Sequence, residues 1–324
     1  MAETFYFGCC SAADYVDRPR SGLIRFLPLL IVSLCILTGC RKTDTVKNSV
    51  SESGMPVLSV TASIRPYALL AKEIGGERIA VDILMKENAS PHLYSPKMSD
   101  LRLLENADLF ILNGMRLEGS LETILPSLKN TLAVADILRL PSSTPTDAET
   151  DECRHGRLNP HFWFSPEIMK RTAASLAEML ALLDDEGAGF YRQNAVRFAR
   201  ETDRVIAETQ TARSAYPETF SYLTMHDSYA YLNEVLGIKA VPVETAPGRE
   251  PSAKAAAALL ETVAADGIRF LVLDPQTEGR SARRIADSAG LKTTVIDPLG
   301  SGYDSFFDYY RKTWERLAAA YDSN

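Results

Sequence analysis

The chain has 324 residues, 46% of them hydrophobic and 24% charged, and carries a net charge of −7 at pH 7. That length outruns one ordinary core and leaves room for two domains. The acidic balance excludes the basic footprint that nucleic-acid binding requires.

The first element in chain order is a targeting segment. Arg18, Arg20 and Arg25 precede the apolar run from Phe26 to Leu37, which ends in Leu37-Thr38-Gly39-Cys40. A membrane span needs about 20 apolar residues, so this shorter run reads as a secretory signal over residues 1–39. The ending LTGC resembles the lipobox of bacterial lipoproteins, which implies lipidation at Cys40 and an extracytoplasmic, membrane-anchored place in a bacterial envelope. Removing residues 1–39 takes three arginines and three acids, so the charge stays at −7. Of the five cysteines it leaves Cys40 and Cys153, and a lone Cys153 has no partner for an internal disulfide. Residues 40–56 are polar and read as a flexible tether.

Strand and helix signals then alternate. VLSVT (57–61) is a strand, residues 66–74 a helix stopped by Gly75-Gly76, and IAVDIL (79–84) a second strand. After the loop SPHLYSP (90–96) come a helix over 97–106, the strand LFILN (109–113), a helix near 120–128 and the strand TLAVA (131–135). Residues 142–158 form a long acidic loop, and NPHFWFSP (159–166) opens an amphipathic helix to Leu183. Residues 187–212 carry no glycine or proline after Gly189, which predicts a helical rod nearly 40 Å long. A second series follows: strands at 220–224, 239–243, 270–274 and 293–297, with helices between them and after the last. This predicts an α/β protein of two lobes, each a mostly parallel sheet of about four strands flanked by helices. The lobes span 57–186 and 214–324, and the rigid helix 187–213 joins them.

In α/β lobes ligands bind beyond the carboxyl ends of strands. The chain has four histidines, and three occupy such places. His92 follows the second strand, His161 precedes a helix, and His226 follows FSYLTM; Asp297 ends TTVID. Three neutral imidazoles and a carboxylate form a coherent shell for a divalent transition metal, with zinc ahead of manganese. His92 and His161 share a Pro-His-x-aromatic frame, in which proline restricts the backbone before each ligand. His155, in the acidic loop, is left out of the set. Because imidazole must be neutral to bind, affinity is expected to fall as pH drops through about 6.5.

SPHLYSPKMSDLRLLENADLFILNGMRLE, NPHFWFSPE, MHDSYAYLNEVLGI and VIDPLG resemble, in order, four ligand blocks of one family. These are the metal-binding lipoproteins of bacterial ABC importers, the zinc and manganese class of periplasmic solute-binding proteins. The resemblance runs from about residue 57 to the C-terminal helix. It implies a zinc site in the inter-lobe cleft built by His92, His161, His226 and Asp297, delivery to an ABC permease with its cytoplasmic ATPase, and a monomer without catalytic function. The histidine at 226 stands where manganese-type members usually place a glutamate. Two other readings stay open: a secreted zinc-dependent hydrolase, although HExxH and GxSxG are lacking, and a lipid-anchored adhesin with a structural metal.

Overall fold

The computed structural model describes residues 56–86, 88–121, 123–138, 159–244, 249–277 and 279–323. The signal peptide, Cys40, nearly all of the tether, and the acidic loop with Cys153 and His155 lie outside them.

The first sheet contains β1 (Leu58–Ala62), β2 (Ile79–Ile83), β3 (Leu109–Leu112) and β4 (Thr131–Ala133). Its order is β2-β1-β3-β4, all parallel. The second repeats the plan with β5 (Ser221–Thr224), β6 (Lys239–Pro242), β7 (Phe270–Leu273) and β8 (Lys292–Val295) in the order β6-β5-β7-β8. Parallel strands covered on both faces become continuous apolar runs. LFIL of β3 and FLVL of β7 are accordingly buried at every position. Pro242 cannot donate to a ladder, and it sits on an edge strand.

Helices α1 (Arg65–Gly75), α2 (Met98–Asn106), α3 (Val134–Ile137) and α4 (Pro166–Leu183) accompany the first sheet. After α5 (Ala188–Arg213) come α6 (Ala230–Leu236), α7 (Ala253–Asp266), α8 (Arg280–Ala289) and α9 (Phe306–Asp322). The expected two-lobe α/β architecture is therefore present. One expected helix is not: residues near 120–128 form two short 3-10 turns, Gly119–Leu121 and Leu125–Ser127. Pro126 supplies the reason, since it lacks an N–H and turns the preceding residue from helical geometry.

The rod, α5, is 26 residues long. Its buried positions include Tyr191, Asn194, Phe198, Thr202, Val205 and Thr209, every third or fourth residue, so one stripe faces inward and the rest is solvated. It packs on α1, α4 and α9. Asn194 Nδ2 donates to the Ile74 carbonyl at the end of α1 (2.8 Å). Near the other end, Gln210 Nε2 donates to Val235 O and Arg213 Nη2 to Gly237 O, both at 3.1 Å, at the end of α6. Orphan carbonyls at two helix ends, one beside each sheet, are thus satisfied by one rod. A single hydrophobic cluster takes in Val60 and Ile111 of the first sheet, Tyr222 and Phe270 of the second, and Trp163, Phe198 and Trp314 between them.

Candidate metal centre

Three loops meet above the carboxyl ends of the strands. His92 lies in the 3-10 turn Pro91–Leu93, where buried Pro91 anchors the turn and Leu93 is exposed. His161 precedes the turn Phe162–Phe164, whose three aromatic rings are all buried and fix the chain beside it. His226 follows β5 by one residue beyond Met225. The cleft they line encloses about 430 Å³ including its open mouth, with Trp163 and Pro298 also in its wall.

The Nε2 of His161 stands 3.3 Å from Nε2 of His92 and 3.1 Å from Nε2 of His226. Ligand atoms of all three lie within 4.8 Å of one another, the one such group among the described residues. His161 is 5% exposed. Its tautomer follows from its neighbours. Asn159 Nδ2 donates to the Asp227 carbonyl (2.7 Å) and approaches the Asp227 carboxylate (3.3 Å), so Asn159 turns its Oδ1 toward His161. That oxygen accepts from the His161 backbone N–H (2.9 Å) and from Nδ1–H (2.6 Å). The ring proton is therefore on Nδ1, and the Nε2 lone pair faces the other two imidazoles. Burial, then the adjacent imidazoles, hold His161 well below the usual histidine range. Burial and His226 push His92 down to about 4. At neutral pH both rings are uncharged and ready to donate.

Asp297, the expected fourth ligand, is not among the groups whose ligand atoms lie within 4.8 Å of one another. Its Oδ1 accepts from Gln276 Nε2 (2.6 Å) and Leu299 N–H (2.9 Å), and its Oδ2 from Ser301 N–H (2.8 Å). The strand β8 ends at Val295, so Asp297 belongs to the following turn and closes it. Gly300 completes that turn at φ +71°, where a Cβ would stand 2.7 Å from the Tyr309 ring. Sequence reasoning missed two residues that touch the histidines. Asn159 was quoted within its motif but given no role. Asp274, at the end of FLVLD, places Oδ2 3.0 Å from His226 Nδ1.

Loops from both lobes cross here. Trp163 Nε1 donates to Pro298 O (2.7 Å), and the Tyr231 hydroxyl donates to Asn159 O (2.8 Å).

A family model described as ZnuA, zinc-uptake complex component A periplasmic, matches residues 60–320. The chain belongs to this family. Zinc-binding lipoprotein AdcA of Streptococcus pneumoniae is 26% identical over 292 residues, covering 85% of this chain and 55% of AdcA. The chain thus spans about half the length of that relative. High-affinity zinc uptake system protein ZnuA of Bacillus subtilis is 25% identical over 287 residues, covering 84% of this chain and 88% of that protein. A crystal structure of ZnuA, 26% identical, aligns with a TM-score of 0.69 over 82% of this chain and 99% of the other. The periplasmic zinc-binding protein TroA from Treponema pallidum, 19% identical, has the same fold, with a TM-score of 0.70 over 81% of this chain and 98% of TroA.

Proposed function

We propose that this ZnuA-family chain is the extracytoplasmic zinc-binding component of a bacterial ABC importer. The ion is cargo, held by His92, His161 and His226 and passed to a membrane permease whose cytoplasmic ATPase drives import. The observation that carries this reading is the convergence of Nε2 atoms 3.1 and 3.3 Å apart around a bare lone pair on His161. Nitrogens about 2.0–2.1 Å from a tetrahedral ion stand roughly 3.3 Å from one another. An all-imidazole set favours zinc over the harder manganese ion. Names of relatives point the same way: AdcA is called a zinc-binding lipoprotein and ZnuA a zinc uptake system protein.

In this reading the resting clamp is three histidines, and Asp297, whose carboxylate accepts three hydrogen bonds and keeps a further lone-pair site, joins as fourth ligand when zinc binds. A hydrolase would need a carboxylate free to take a proton from metal-bound water. Asp274 is turned to His226 and Asp297 to its own turn, which favours carriage over catalysis. The lobes divide at 57–186 and 214–324 about the helix 187–213, and Cys40 carries the lipid that holds a monomer at the membrane.

Calorimetric titration of residues 40–324 with zinc and with manganese tests the clamp. One tight zinc site is expected. Alanine at His92, His161 or His226 should each weaken it strongly while circular dichroism of the metal-free fold stays unchanged. His226→Glu should move preference toward manganese. If His92→Ala and His226→Ala both bind zinc as the unaltered chain does, the lobes share no ion and the reading fails.

A further inference from the structure

Two aspartates end neighbouring strands of the second sheet with the same Asp-Pro dipeptide, Asp274-Pro275 beyond β7 and Asp297-Pro298 beyond β8. Their surroundings are opposite. Asp297 is partly exposed and accepts from three donors. Asp274 is 2% exposed, and neither of its carboxylate oxygens has a hydrogen-bond donor. A carboxylate buried in this way is strongly disfavoured unless something in the site answers it. It cannot be capping the turn after β7, because a capping aspartate takes backbone N–H groups and this one takes none. Directly opposite, Nδ1 of His226 lies 3.0 Å from Oδ2 and has no other partner. The contact has hydrogen-bond length without hydrogen-bond alignment.

We propose that Asp274 serves the histidine cluster as a positioning residue acting through His226. The inference rests on the three histidines being the zinc clamp. A carboxylate can only accept, so it selects the His226 tautomer protonated on Nδ1 and leaves Nε2 bare. That Nε2 is the atom 3.1 Å from His161 Nε2. Asn159 does the same for His161 from the other side of the cleft, with a neutral oxygen. Two ligands are therefore set from behind by different chemistry. The negative charge behind His226 also raises the donor strength of its ring toward a dication. Asp274 itself is not among the groups whose ligand atoms converge, which are His92, His161 and His226.

Long-range proton–nitrogen spectra of the metal-free chain read the tautomer directly, and competition titration reads zinc affinity. In the unaltered chain His226 should show a single form protonated on Nδ1. Asp274→Ala should let the Nε2-protonated form appear and weaken zinc by about 10- to 100-fold, the usual effect of losing a group behind a metal ligand. Asp274→Asn, matched in size, retains an accepting oxygen but no charge. It should keep the tautomer and lose less affinity, and it serves if the alanine variant does not fold. Unchanged tautomer and affinity in Asp274→Ala would overturn the proposal. So would X-ray absorption showing an oxygen ligand present on zinc in the unaltered chain and missing in Asp274→Asn, since Asp274 would then be a ligand. The tautomer is read without metal. A chain that bound no zinc yet kept Nδ1 protonated would therefore sink the clamp and leave the His226–Asp274 geometry standing.

Discussion

His161 lies deeper than the other ligands, and its depth changes the acid behaviour expected of the site. An ordinary histidine competes with protons near pH 6.5. His92 is pushed down to about 4 by burial and by His226, and His161 is held well below its usual range. Proton competition at His92 should therefore set in only as pH approaches 4. For metal-free stability the sign is also fixed. Between about 4 and 6.5 the unfolded chain binds more protons at these histidines than the folded one, so stability rises with pH across that window. Melting of the metal-free chain should accordingly decline as pH falls from 6.5 to 4; a midpoint flat through that range would contradict the depressed values. Trp163 offers a second readout, because its buried ring meets that of His161 edge-on at 5.2 Å. Zinc should change tryptophan emission in Trp314→Phe, and the change should vanish in Trp163→Phe. The three histidines were legible because each sat at a strand end or in a repeated frame. The aspartates were not: FLVLDP and TTVIDP read alike, and only the turn through Gly300 gives Asp297 the N–H donors that Asp274 lacks.

Among the elements, α5 and the junction before it hold the first lobe in place. Arg78, at the start of β2, is buried and pairs with buried Asp184, Nε to Oδ2 at 2.7 Å and Nη2 to Oδ1 at 2.8 Å. The Tyr191 hydroxyl, from the first turn of α5, donates to the same carboxylate at 2.5 Å. Removing one partner strands a buried charge, so Arg78→Met should cost about 3–5 kcal/mol in denaturant unfolding. Replacing both, with Met at 78 and Leu at 184, should recover only part of that loss, because Leu at 184 leaves the Tyr191 hydroxyl without its acceptor and takes the side-chain acceptor from the Gly187 N–H. A single variant as stable as the unaltered chain would show the pair to be idle. The elements themselves were mostly legible, because apolar runs, proline starts and glycine stops agreed along the chain. The false helix near 120–128 came from reading apolar spacing past Pro126, whose missing N–H decides the matter locally.

Across the whole molecule, the two sheets are tied at several points. Arg65 donates to the Tyr303 carbonyl from Nε (3.0 Å) and Nη2 (2.6 Å), beside the crossings made by Asn159, Trp163 and Tyr231. With α5 clasped near both ends, zinc should bring local loop shifts and small tilts rather than closure about a hinge. Small-angle scattering with and without zinc should give nearly superimposable curves; a clear fall in radius of gyration would show a wide hinge instead. The common hydrophobic cluster has a consequence for descent as well. A boundary drawn on strand order cuts through packing that joins Val60 and Ile111 to Tyr222 and Phe270 by way of Trp163, Phe198 and Trp314. Neither half is an interchangeable part. A chimera that exchanges one lobe with a relative must carry α4, α5 and α9 across with it, so recombination within such a chain is constrained to trade whole interiors or nothing.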